Sequence, residues 1–143
     1  MQPNTWEHWR EIAIERAEDA GSIAEKRPNS LGSVYMVGYA VECALKAYLQ
    51  RKGISFASKG KEGHHLKTLW KKAGFRLSDI NDTKGQQIFF IQEWTTNLRY
   101  EVRDNEGYLL IQGQGLNIKE LIEGAKQLSG WIHKKIKRLG RGR

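Results

Sequence analysis

Cysteine is nearly absent: Cys43 stands alone among 143 residues. A single cysteine excludes an intrachain disulfide and any paired-cysteine zinc spacing, and it fits a reducing compartment, so a cytoplasmic location is expected. Long hydrophobic runs are missing as well. No stretch is long enough to span a bilayer, and the opening "MQPNTWEHWREIAIERAEDA" is charged and helical in pattern, so neither a signal peptide nor membrane insertion is expected. There is no GxxxxGK[ST] or GxGxxG to cradle phosphates; the glycines at 113 and 115 are expected to lie in a loop. Histidine is sparse. His64 and His65 are adjacent and point about 100° apart on a helix, while His8 and His133 lie far off in the chain, so no metal-ligand spacing emerges and no metal or cofactor is expected.

Negative charge is missing from one place in particular. The last ten residues, "KKIKRLGRGR", carry six positive charges and no negative ones. The formal charge of the chain is +8, so the other 133 residues carry only +2. A solvated helix end whose cations offset the macrodipole is the ordinary account of such a run. Contact with nucleic acid or an acidic partner is the functional account, with Lys134, Lys135, Lys137 and Arg138 as the contacting residues.

What is present is helical periodicity. No internal repeat is found, and a chain of this length forms one domain that buries roughly 68–70% of its unfolded surface. A first helix is predicted from about Thr5, as N-cap, to Lys26, with Trp6, Trp9, Ala13, Ala17, Ala20 and Ala24 recurring on one face. Pro28 ends it. The second helix, about Ser30 to Lys52, is apolar almost all the way round, which places it inside a bundle, and Gly53 suits its C-terminal cap. Gly38, Ala40, Ala44 and Ala47 would permit close approach of another helix. "HHLKTLWKKAG" predicts a short helix closed by Gly74, and "RLSDINDTKG" reads as a connector with room for a helical part. "QQIFFIQEWTTNLRY" predicts a fourth helix reaching Arg99 and Tyr100. Tyr108 to Ile111 has strand character, but a lone strand makes no sheet. A final helix from about Asn117 carries Leu121, Ile122, Ala125, Leu128, Ile132, Ile136 and Leu139. The sum is an all-α antiparallel helical bundle of four to five helices.

Inside the apolar second helix, "YAVECALKAYLQ" holds Glu42 and Lys46 one turn apart. Glu four residues before Lys is the favourable order for an exposed pair, worth roughly 0.3–0.5 kcal/mol. Tyr35, Tyr39, Glu42, Lys46 and Gln50 make one narrow polar edge on this cylinder. Arg99 is the expected bidentate partner of Glu42, with Lys46 flanking it at the solvent edge. Cys43, on the same helix without an adjacent base, is expected to be a small core residue.

"YAVECALKAYLQRKG", "GHHLKTLW" and "WTTNLRY", in that order between two further helices, resemble the HEPN superfamily (higher eukaryotes and prokaryotes nucleotide-binding). The resemblance rests on an E-x-x-x-K-A pattern at Glu42, Lys46 and Ala47, a G-H-x-L segment at Gly63, His64 and Leu66, and an R-Y pair at Arg99 and Tyr100. It implies a single HEPN-like domain over residues 1–139 with a basic tail at 140–143. It also implies a homodimer, a setting in prokaryotic defence or toxin–antitoxin systems, and a nucleotidyltransferase or other protein as partner. Glu42, Lys46, Arg99 and Tyr100 become the ligand-binding candidates, for a nucleotide or RNA. One departure is decisive for catalysis. HEPN ribonucleases carry Arg-x4-6-His, and here Arg99 is followed by "YEVRDNEGYLL", with no histidine at that spacing after any arginine. The general acid or base that imidazole supplies near neutral pH is missing from the pattern. A non-catalytic binding or interaction module is therefore expected, with no catalytic residue assigned. A degenerate ribonuclease using Arg99, Tyr100 and Asp104, or a plain helical adaptor with a basic tail, are the alternatives.

Overall fold

Thr5 opens the first helix, α1 (Trp6–Lys26), as the sequence predicts: its hydroxyl accepts a hydrogen bond from the His8 amide at 3.2 Å. The computed structural model describes residues 5–28, 30–56, 65–80, 86–92, 94, 102–103, 108–111 and 114–141. Ser30 caps α2 (Leu31–Lys52) in the same way, accepting from the Gly32 amide at 3.1 Å. Gly53, at φ 74°, closes α2 in the left-handed region, and the Ile54 amide reaches back to the Leu49 carbonyl at 2.9 Å. That is the Schellman closure a C′ glycine allows.

The short helix α3 (Leu66–Lys72) is followed by Gly74 at φ 79° and by a 3-10 turn, Leu77–Asp79, where the Asp79 carboxylate accepts from the Arg76 amide at 2.9 Å. Helix α4 covers Gln86–Gln92 and helix α5 Ile118–Arg141. Asn117 caps α5 through Oδ1, which accepts from the Glu120 amide at 3.0 Å. Of the predicted apolar face of α5, Leu121, Ile122, Ala125, Leu128, Ile132 and Ile136 are buried and Leu139 is half-buried; Ile118, outside the predicted series, is buried with them. The helix carries through Arg141.

The molecule is an all-α bundle built around α2, which is buried without interruption from Ala40 to Leu49. α1 and α5 pack on α2, and α4 packs on α5. α1 runs antiparallel to both long partners. Its start faces the end of α5, where the Arg10 charge acts on His133. Its end meets the start of α5 across a shallow cavity of about 400 Å³ lined by Ala24, Glu25, Pro28, Lys119 and Ile122 among others. Trp9, Val41, Leu45, Ile91, Trp94 and Leu128, from four different parts of the chain, share one core.

Two sequence expectations need correction. Tyr108–Ile111 is not a lone strand. It is the middle of a small antiparallel sheet, β1 (Val102–Arg103), β2 (Tyr108–Ile111) and β3 (Gln114–Asn117), with Leu110 opposite Val102 on one side and Gly115 on the other. The sheet sits between α4 and α5 in the chain, and β3 runs straight into α5. The fourth helix is also shorter than predicted. It ends at Gln92, and Trp94 is already outside it, its amide donating to the Phe89 carbonyl at 3.2 Å. That five-residue reach closes a helix.

Candidate functional site

The polar edge of α2 does not stay at the surface. Tyr35 and Tyr39 are half-buried, Glu42 is 2% exposed, Lys46 is 1% exposed, and only Gln50 is fully out. The Lys46 ammonium donates to the Glu42 carboxylate at 3.0 Å and lies 4.9 Å from the centre of the Trp9 ring on α1. The expectation that Lys46 flanks the pair at the solvent edge is therefore overturned. The reason is packing: α1 lays Trp9 across this turn of α2, so the ammonium meets an aromatic face where water was expected. A buried cation held by a carboxylate and a ring face is satisfied on both sides. Arg99 and Tyr100, the other two ligand-binding candidates, lie outside the described residues, as do Gly63, His64 and Asp104.

The flanking groups are chemically quiet. Burial, followed by the neighbouring Glu42 charge, pushes the Cys43 thiol up to about 12, with Lys46 and Arg16 offsetting part of it. Cys43 is 3% exposed, a core residue as the sequence implies. Burial first, and then the hydrogen bond that its hydroxyl donates to Tyr35, raises the Tyr39 phenol well above its ordinary value. Neither thiol nor phenol is a nucleophile in this environment.

Tyr35 and Tyr39 form an aromatic cluster with Trp94. The three ring centres lie 5.2 to 6.0 Å apart, two of the three pairs edge to face. Gly38 is what lets Trp94 in, because a Cβ at that position would overlap the indole ring. The small-residue stripe predicted to admit a helix thus admits, at Gly38, a side chain from the segment after α4. This brings Trp94 onto the face of α2 that carries Tyr35 and Tyr39.

A second group of side chains gathers where α1 begins and α2 and α5 end. The Arg51 guanidinium lies 4.1 Å from the Trp6 ring centre, and Arg10 lies 5.1 Å from the same ring. On α5, Lys135 sits 4.9 Å from the Trp131 ring, which packs on Trp70 and Phe75; Phe75 in turn packs on Tyr48, whose ring lies 5.6 Å from Lys52. Lys134, Lys137 and Arg138 are exposed and share one face of α5 at three- and four-residue steps, while Lys135 is half-buried by its stack. His133, half-buried between these faces, has its proton affinity lowered by burial and then by Arg10. The sequence reading named the α5 cations but missed Arg10, Arg51 and the two tryptophans. The four-residue step from Trp6 to Arg10 was a visible signal; the approach of Arg51 was not.

Among the described residues no three histidine, cysteine or acidic side chains converge as a metal site, and no helix is long and apolar enough to cross a membrane. In comparison with known proteins, the family model described as HEPN domain matches residues 6–136. No curated protein and no solved structure matches the chain.

Proposed function

The chain belongs to the HEPN family, and on that premise we propose that it is a non-catalytic binding module for a nucleotide or RNA. The observation that carries this is a mismatch. The chain keeps the E-x-x-x-K-A pattern, folded as a buried ion pair at Glu42 and Lys46, while none of its four histidines follows an arginine at the Arg-x4-6-His spacing. Ribonuclease chemistry in the family needs that imidazole, whereas binding does not. Glu42 and Lys46 act from beneath the surface by fixing α2 against α1. Arg99 and Tyr100 supply the ligand contacts, and Lys134, Lys135, Lys137 and Arg138 contact nucleic acid. The module works as a homodimer in the cytoplasm, in a prokaryotic defence or toxin–antitoxin setting, beside a nucleotidyltransferase or another protein partner. Frequent dimerisation in the family supports the first of these. Equilibrium dialysis against ATP, and separately against RNA, tests the reading. Retention of either ligand, weakened in Arg99→Ala at unchanged helix content, is the expected result. Retention of neither removes the function proposed here.

A further inference from the structure

We propose that the end of the bundle where α1 starts and α2 and α5 finish is a binding surface for single-stranded nucleic acid. This goes beyond the four α5 cations, and it rests on the binding-module reading only in taking nucleic acid as the ligand. Four helices build the surface, α1 through Trp6 and the other three through cations. α5 contributes Lys134, Lys137 and Arg138 on one exposed face, with no acidic residue after Glu123. α2 ends in Arg51 and Lys52, and α3, wholly without acidic residues, ends in Lys71 and Lys72. Glu7 and Glu11 on α1 are the acidic residues nearest this end in the chain.

The second observation is aromatic. Trp6 and Trp131 are each half-buried, and each already carries a cation against its ring, Arg51 at 4.1 Å and Lys135 at 4.9 Å. A cation resting on a partly exposed indole is a stacking platform with a phosphate-binding group beside it. Bases stack on such rings while the backbone tracks the cations. This pairing selects among polyanions. An acidic peptide uses the charges but not the ring faces. A duplex keeps its bases stacked within itself. A bilayer surface rewards apolar side chains that insert, and among the described residues Ile14, on α1, is the exposed large hydrophobic one. An unpaired strand uses both features.

The test is fluorescence anisotropy with labelled oligouridine and oligothymidine, set against duplex RNA, polyglutamate and phosphatidylserine vesicles over a salt series. The strands should bind at low salt, with log affinity falling against log salt at a slope of roughly −3 if about four phosphates are neutralised. The combined change Lys134→Ala, Lys137→Ala and Arg138→Ala should flatten that slope by about two. Trp131→Leu should weaken strand binding by about tenfold at unchanged helix content. If that variant fails to fold, Arg51→Gln, which strips the cation from Trp6, takes its place with weakened strand binding expected. Equal affinity for polyglutamate, duplex or vesicles overturns the proposal. So does wild-type strand binding that the α5 triple variant leaves unchanged, an outcome that removes this surface and the α5 contacts while ligand binding through Arg99 and Tyr100 stands. Failure of the strands and of ATP to bind removes both.

Discussion

Glu42 and Lys46 are a buried pair inside one helix, and that changes what their removal costs. An exposed pair of this spacing is worth under about 1 kcal/mol, whereas stripping one partner from a buried pair leaves a desolvated charge and costs roughly 3–5 kcal/mol. Lys46 is 1% exposed, so Lys46→Met belongs to the second case, contrary to the mild effect its expected position at the solvent edge would give. Denaturant melts of Glu42→Gln, Lys46→Met and the double variant check this. The double change should cost clearly less than the two singles added, and strict additivity would mean that the two side chains are not coupled. His133 gives a pH signature. Burial and Arg10 lower its folded proton affinity below the ordinary 6.5, so the unfolded chain binds the proton more readily. Stability therefore falls as pH drops below about 6.5 through the folded value. Thermal melts from pH 7.5 down to 5 should show the decline, and His133→Gln should flatten it; an equally steep decline in the variant would assign the effect to other groups. Cys43, buried and pushed up to about 12, should resist a thiol reagent at pH 8 until the protein is unfolded.

Helices report themselves in sequence when their caps and their periodicity agree. Thr5 did so for α1 and Gly53 for α2, and the seven-residue apolar series did so for α5. The end of α4 was not legible, because "FFIQEWTTNL" keeps an apolar pattern past the point where the helix stops. What ends it is tertiary: Trp94 leaves the helix to stack on Tyr35 and Tyr39 over Gly38. The sheet was hidden for a different reason. Its outer strands are "VR" and "QGLN", one too short to show alternation and the other holding a glycine where strand propensity is poor. Cross-strand pairing supplies what local preference lacks. The candidate site divides in the same way. The Glu42–Lys46 spacing was readable, but its burial depends on Trp9 from another helix, which no local pattern shows. Gly38→Ala tests the Trp94 contact. The change gains roughly 1 kcal/mol of helix propensity, but a methyl group forced into a filled core costs about 1–3 kcal/mol or more, so a net loss of stability is expected. The same change in a Trp94→Leu background should be neutral or stabilising. Equal destabilisation in both backgrounds would place the clash elsewhere.

On the scale of the whole molecule, charge and family point to one account. Cations of α2, α3 and α5 gather at one end of the bundle, and the chain keeps the E-x-x-x-K-A pattern without the histidine that family ribonucleases use. The proposed dimer has a direct check: light scattering at micromolar concentration should return twice the 16.4 kDa chain mass, and a monomer mass would reject it. The central claim is binding without cutting. One sample tests it most directly: end-labelled single-stranded RNA incubated with the protein at neutral pH in chelator, divided between a native and a denaturing gel. The account predicts a shifted band on the first and full-length RNA on the second. RNA cut by the wild-type protein, and left whole by an Arg99→Ala variant of equal helix content, would contradict it.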